Sequence, residues 1–368
     1  MIKIVHISPI FWDNWTYQEN FITKIQSNLG YDVHVISSKK NITKYSINQD
    51  FSNEYYIDKL KVYRLDFVFN FFNKFYIYKN LYKLLSEIDP DIIMLHGLQS
   101  LINFQIIKYL KKNKRCKFYA DIHSDYDISA TNYISKIVLH KLFWNLIIVF
   151  AQKYLIEIYY TRPSVKEFIQ SLYNIPEYKL KALYLGTDNF FITNNDYVEN
   201  KINFRNKYNI SKDDIVLCTG GKITDKNYIT PLINYVKINK NIKLLIFGNL
   251  DKEILTEYYE YITYVGWLSF TEIHQCLISC DLIFFLGNHS VLWEQAVALN
   301  CKIILNYRKN REYLNFNTNI LFLYTNQQCE LNNIINNNLI HKNKLMDVNK
   351  NIFNFNNIVN DLNKRWQI

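Results

Sequence analysis

The most restrictive feature of this chain is a rhythm. Short, uninterrupted apolar runs rich in β-branched residues alternate with longer amphipathic ones, and the whole alternation is played twice. In the first half the short runs fall at residues 2–7, 32–37, 62–67, 92–95, 116–120 and 180–185, with helical spacing at 17–29, 71–88, 101–112, 133–150 and 164–173. In the second half they fall at 215–219, 244–247, 261–265, 282–286, 303–305 and 320–323, separated by helical patterns at 228–238, 252–259, 269–278 and 291–299. A strand that is apolar at every position is buried on both faces. Strands of that kind, alternating with helices, form a parallel sheet covered by helices on both sides. The expectation is an α/β protein of two Rossmann-like domains, with parallel sheets facing across a cleft. The Asn-rich, weakly periodic stretch 189–201 places the boundary near residue 190, giving domains 1–190 and 191–348. Residues 349–368 carry helical spacing at Ile352, Phe353, Ile358, Val359, Leu362 and Trp366, and are expected to pack back on the first domain.

A length of 368 residues is enough for two such cores without disulfide or metal staples. The six cysteines, at 116, 218, 276, 280, 301 and 329, lie mostly in apolar segments, as buried reduced thiols do. Cys276 and Cys280 stand four apart beside His274, but no second pair completes a zinc site, so no metal is expected. The first residues read as a strand and lack the pattern of a secretory leader, and the apolar run 142–151 is too short to span a bilayer. A cytoplasmic location, at the inner face of the plasma membrane, is the expectation. Of the net charge of +10, seven units belong to residues 1–190. That asymmetry favours anionic surfaces or phosphate-bearing substrates. The basic cluster at 111–117 is too short, and the 60 Phe, Tyr and Trp residues too dispersed, for a nucleic-acid-reading module.

Ligands of doubly wound domains bind outside the carboxyl ends of the strands, and the polar motifs stand there. After 215–219 comes Gly220-Gly221-Lys222-Ile223-Thr224-Asp225-Lys226. A Gly-Gly turn before a helix, with two lysines four apart, suits a phosphate group. After 282–286 comes Gly287-Asn288-His289-Ser290-Val291-Leu292-Trp293-Glu294, where Ser290 suits a helix N-cap and Glu294 precedes small apolar residues. A buried carboxylate there needs hydroxyl or amide partners, and a ribose diol fits. Asp121-Ile122-His123 follows 116–120, with Ser124, Asp125 and Asp127 nearby; His96-Gly97 is a weaker candidate, and His6 lies inside a strand.

Together with Tyr264-Val265-Gly266-Trp267-Leu268-Ser269, Tyr17-Gln18-Glu19-Asn20 and Leu185-Gly186-Thr187-Asp188, these motifs, in this order at these strand ends, resemble the GT-B fold glycosyltransferases. Within that fold they resemble the retaining glycosyl transferases group 1 (GT4-like) family over nearly the whole chain. The resemblance implies that Lys222 and Lys226, with Gly220 and Gly221, neutralise a nucleotide diphosphate. It implies that Glu294 binds the ribose, with His289 and Ser290 beside it, that Gly266 and Trp267 line the nucleobase pocket, and that His123 stands beside the transferred sugar. The implied activity is hexosyl transfer from a nucleotide-sugar donor to a glycan or lipid-linked acceptor, with retention, in bacterial surface polysaccharide or glycoconjugate synthesis. It requires no cofactor and no bound metal. One departure stands out: eight residues before Glu294, where the family has a second Glu, this chain has Leu286. The first βα loop is also bulky, so Phe11, Trp12 and Trp15 are assigned to an acceptor mouth, with peripheral membrane contact through the basic first domain; packing of Phe11 and Trp12 into the fold is the alternative. A GT-B fold sugar-nucleotide epimerase and a non-catalytic partner subunit are the competing functions.

Overall fold

The computed structural model of the 368-residue chain describes residues 1–13, 17–40, 52–127, 129–187, 194–315, 319–325, 328–340 and 352–368. It divides into two units, Met1–Tyr184 with Ile358–Ile368, and Leu185–Asn357.

The first unit is built on β1 (Lys3–Ile7), β2 (Asp32–Ser38), β3 (Glu54–Ile57), β4 (Leu60–Leu65), β5 (Phe67–Phe71), β6 (Phe75–Tyr78), β7 (Ile92–His96), β8 (Lys117–Ile122), β9 (Ile158–Tyr160) and β10 (Leu180–Ala182). All but β5 and β6 join one sheet in the order β10-β9-β8-β7-β1-β2-β4-β3. Every pairing in it is parallel except that of β3 with β4. The helices are α1 (Gln18–Asn28), α2 (Leu81–Ile88), α3 (Ile102–Leu110), a π-helical segment Ser135–Trp144 running into α4 (Asn145–Ala151), and α5 (Pro163–Leu172). Ile7, Leu95, Phe118, Ile148 and Phe168 belong to one continuous core.

The helix expected over 71–88 is a β-hairpin followed by a short helix. Phe72 and Asn73 both take φ 53°, the pair of positive angles that closes a tight hairpin. Asn70 clamps the turn, accepting from the Asn73 amide (3.1 Å) and donating to its side chain (2.8 Å). Local turn chemistry outweighed an ambiguous aromatic periodicity.

The second unit contains β11 (Ile215–Ile223), β12 (Ile242–Leu250), β13 (Ile262–Gly266), β14 (Leu282–Phe285), β15 (Ile303–Asn306) and β16 (Ile320–Leu323). Its sheet, β13-β12-β11-β14-β15-β16, is parallel throughout. Numbered within the unit this is 3-2-1-4-5-6, the order of the dinucleotide-binding fold, whose crevice lies where strand order reverses, here between β11 and β14. Its helices are α6 (Asn194–Lys207), α7 (Thr230–Ile238), α8 (Lys252–Tyr258), α9 (Phe270–Ser279), α10 (Leu292–Ala298) and α11 (Gln328–Ile340).

Gly220 and Gly221, expected in a turn, lie inside β11. The strand runs on to Ile223, pairing Gly220 with Phe247 and Gly221 with Gly248. Gly220 serves packing, since a Cβ there would stand 2.2 Å from the Phe247 ring, and one on Gly248 would stand 2.3 Å from the Gly221 carbonyl oxygen; Gly221 has open space beside it and holds φ 109°, a backbone that favours glycine. Beneath β11 the structure places Cys218 beside Cys276 and Cys280, the three sulfurs within 4.8 Å of one another.

Helix α12 (Phe355–Trp366) starts in the second unit and ends in the first. Trp366 is fully buried there. Its ring stacks on Tyr119 at 5.1 Å, its indole N–H donates to the Tyr159 hydroxyl at 3.0 Å, and Lys117 donates to its carbonyl oxygen at 2.7 Å.

Candidate active site

At the carboxyl ends of β7 and β8 the first unit carries a buried polar chain. Parallel pairing sets His96 opposite Asp121. One Asp121 oxygen lies 2.6 Å from His96 Nδ1; the other accepts from the Gly97 amide at 2.8 Å and stands 3.3 Å from His123 Nε2. From His96 the chain runs inward. His96 Nε2 is 3.0 Å from His6 Nδ1, His6 Nε2 is 2.8 Å from Gln26 Oε1, and Gln26 donates to Asn363 of α12 at 2.8 Å. His6, the strand residue read as structural, is thus the middle of the chain.

Burial, reinforced by His96, pushes the His6 pKa down to about 3 and keeps the ring neutral. Burial alone would push the Asp121 carboxyl up, but His123 and His96 hold it well below the usual carboxylate range. For His123 burial opposes the charge, and Asp121 followed by Glu19 outweighs it, so its pKa is raised. The His123 side chain is 40% exposed while Asp121 is fully buried, which makes the imidazole the solvent-facing end of the chain. A histidine so held presents a positive, donating edge.

Three neighbouring assignments change. Asp125 is occupied by Arg162 (2.7 Å) and the Ser164 hydroxyl (3.0 Å), a buried ion pair. Phe11 and Trp12, expected at an acceptor mouth, are core residues, 2% and 6% exposed. Phe11 packs with Val33, Val35, Leu60 and Val62, because the loop after β1 folds down over the sheet. Trp15 lies outside the described residues.

In the second unit His289, Ser290 and Glu294 come together after β14. Glu294 is fully buried. One of its oxygens lies 2.8 Å from His289 Nε2 and accepts from the Tyr313 hydroxyl. The other, Oε2, is buried with no hydrogen-bond partner among the described residues. Ser290 Oγ accepts from the Leu292 amide at the start of α10. Trp293, edge-on to His289 at 5.2 Å, lies under the Arg311 guanidinium at 4.6 Å. Arg311 donates to the carbonyls of Asn306 (2.8 Å) and Gly287 (3.1 Å) and so ties the ends of β14 and β15 together.

The remaining residues divide. Lys222, beside Gly220 and Gly221 on β11, is exposed and makes no ion pair among the described residues. Lys226 is held by Glu257 at 2.6 Å, which raises its pKa, so the two lysines do not act as one pair here. Gly266 ends β13 and presents Trp267, whose side chain is 78% exposed. Leu286 lines a cavity of about 310 Å³ with Asn227, Tyr228, Pro231, Asn306, Leu323 and Leu331, a mixed polar and apolar lining to which Leu286 brings no charge. Tyr313, Arg311, Asn306 and Gln26 were not legible as site residues, since each reaches its place through another strand or helix.

No protein-family model and no curated protein sequence matches the chain. Solved structures do. HepE from Anabaena in complex with UDP is similar at 13% identity over 100% of both chains, with a TM-score of 0.69. Sucrose-phosphate synthase from Thermosynechococcus elongatus is similar at 12% identity over 100% of this chain and 98% of that one, with a TM-score of 0.68. UDP-GlcNAc 2-epimerase from Neisseria meningitidis bound to UDP-GlcNAc is similar at 9% identity over 100% of both, with a TM-score of 0.61. At such identities the likeness is one of fold. The two units are the two Rossmann-like domains of a GT-B fold; the strand rhythm led to the two Rossmann-like domains and the motif resemblance implied the GT-B class.

Proposed function

We propose that this protein is a glycosyltransferase of the hexosyl type, moving a sugar with retention from a nucleotide diphosphate-sugar to a glycan or lipid-linked acceptor in bacterial surface polysaccharide or glycoconjugate synthesis. The observation that carries the reading is Glu294: a fully buried carboxylate on α10, the helix that follows the switch-point strand β14, one oxygen satisfied by His289 and Tyr313 and the other without a hydrogen-bond partner among the described residues. A buried carboxylate oxygen left without a donor is costly, and a ribose diol supplies the missing donors. HepE, similar in fold, is solved with UDP and with UDP-glucose, which supports a nucleotide sugar as the ligand class.

The remaining roles follow from chemistry. Lys222 and backbone amides after β11 meet the diphosphate and stabilise the charge that grows on it as the glycosidic bond breaks; Lys226 joins them on exchanging Glu257 for phosphate. Trp267 offers a stacking face for the base. His123, held by Asp121, donates to hydroxyls of the transferred sugar or acceptor. Metal is not needed in this scheme, because lysines and amides take the charge. Membrane contact belongs to the basic first unit, from the cytoplasmic side.

The epimerase reading is favoured by the fold likeness to UDP-GlcNAc 2-epimerase, and the non-catalytic reading by Leu286, which stands where the resemblance implies a second Glu. One experiment separates them: a panel of nucleotide sugars incubated with the protein, with and without lipid-linked acceptors. Nucleotide released together with glycosylated acceptor supports transfer. Donor interconverted without acceptor replaces it with epimerisation, and tight binding with no turnover replaces it with a partner role.

A further inference from the structure

The first unit exposes an apolar surface that its core does not use. The tip of the β5–β6 hairpin carries Val68, Phe69, Phe71 and Phe72 at 71, 47, 51 and 77% exposure. On the helical segment after β8, Ile134, Val138, Leu142 and Leu146 are 71, 54, 56 and 72% exposed, and their four-residue spacing makes one continuous stripe. The two elements are joined ring to ring: Phe72 to Phe71 at 4.3 Å, Phe71 to Phe75 at 6.4 Å, and Phe75 to Phe143 at 5.2 Å. Phe72 holds φ 53°, a left-handed backbone that a bulky residue adopts only under constraint, and it points its ring outward.

The two elements themselves carry charge of one sign: neither residues 67–78 nor residues 134–151 contain an Asp or Glu. Their basic residues are Lys74 on the hairpin and Lys136 and Lys141 on the helical segment. Lys74, Lys136 and Lys141 are exposed, and Lys74 stands close enough to the helical segment to help burial lower the pKa of His140. A second copy of the chain seated here would set lysines against lysines. An anionic bilayer would meet both features at once, taking the aromatics at its headgroup boundary and the ammonium groups at its phosphates. No helix among the described residues is long and apolar enough to cross a membrane, and a surface that lies on the bilayer does not need one.

We infer that the β5–β6 hairpin and the helical segment Ser135–Trp144 with α4 form the membrane-docking face of this protein, and that its partner is an anionic lipid surface. Both elements leave the carboxyl edge of the first sheet, the edge that carries Asp121 and His123, so docking would hold that edge toward lipid-borne molecules. The inference rests on the membrane part of the function proposed above and on none of its donor chemistry.

The test is co-sedimentation of the full chain with vesicles of phosphatidylcholine alone and of phosphatidylcholine with about one-third phosphatidylglycerol, without nucleotide sugar. The expected result is binding to the anionic vesicles that weakens in high salt. The pair Phe72→Ser and Leu146→Ser, both at exposed positions, should weaken it about tenfold or more, since binding scales with buried apolar area. Lys136→Gln and Lys141→Gln should weaken it about fivefold each. Unchanged melting temperatures show that the variants fold. Absence of anionic-vesicle binding by the wild-type chain, or binding indifferent to the Phe72 and Leu146 changes, overturns the inference. So does a wild-type dimer in sedimentation velocity that the same pair dissociates, which would make a second copy the occupant. A docking face can fail with the donor panel positive, and the reverse, so the two proposals are tested separately.

Discussion

Glu294→Gln isolates the unpartnered carboxylate oxygen. The substitution keeps the shape of the side chain and leaves one oxygen to accept from Tyr313 and His289, while the position of Oε2 becomes an amide nitrogen that donates and cannot accept from a diol. In the unliganded protein Oε2 has no partner to lose, and removing a buried charge offsets weaker contacts to His289 and Tyr313. Stability should therefore move by no more than about 1 kcal/mol. Binding should move much further. A hydrogen bond to a charged group is worth about 1.5–3 kcal/mol, and about 1.4 kcal/mol is tenfold in Kd, so losing one ribose contact weakens the nucleotide diphosphate by roughly 10- to 100-fold. Titration calorimetry of UDP and GDP against both proteins reads the affinity, and a thermal melt without ligand reads the stability. A variant that binds as tightly as the wild type would refute the assignment of Glu294 to the ribose. A variant that loses several kcal/mol without ligand would show instead that the carboxylate is a structural member of the His289–Tyr313 cluster.

Two further outcomes follow from the first unit. His123 has a raised folded pKa, so its proton stabilises the fold fully below about pH 6.5, the unperturbed value, and the contribution fades as pH rises through the folded value. Urea midpoints of the wild type and His123→Gln should accordingly converge as pH rises above about 6.5; a gap that widens with pH contradicts the Asp121–His123 pairing. Trp366→Ala removes a fully buried ring and the contacts to Tyr119 and Tyr159 at a cost of about 3–5 kcal/mol, a drop in Tm of about 6–20 °C. A drop below about 2 °C would mean that α12 is dispensable to the first unit.

Most of the architecture was legible because hydrophobic periodicity is local. A strand buried on both faces must be apolar at consecutive positions, and Val216 to Cys218 or Ile92 to Leu95 announce this without reference to any neighbour. The hairpin at β5–β6 was not legible, because alternating and helical readings of Phe71 to Tyr78 both place aromatics sensibly and only the positive φ angles at Phe72 and Asn73 decide between them. Gly220-Gly221 looked like a turn for a comparable reason. The sequence shows that two residues lack side chains, whereas the Phe247 ring that needs the space at Gly220 comes from another strand, and the positive φ at Gly221 is set by the strand's path.

The sites divide along the same line. Sequence alone determined that polar residues stand at the ends of apolar strands: His96, Asp121 and His123 in one half, Lys222, His289 and Glu294 in the other. It could not determine which of them meet, because contact depends on strand order and register, set by the packing of the whole sheet. Only the tertiary structure sets His6 between His96 and Gln26, draws Asn363 of the last helix to that chain, brings Tyr313 to Glu294 and turns Lys226 toward Glu257. Exposure was decided there too. Phe11 and Trp12 have the composition of a binding mouth but lie under a loop, while Phe72 and Leu146, unremarked in the chain, face outward because the elements that carry them have no neighbour to cover that side.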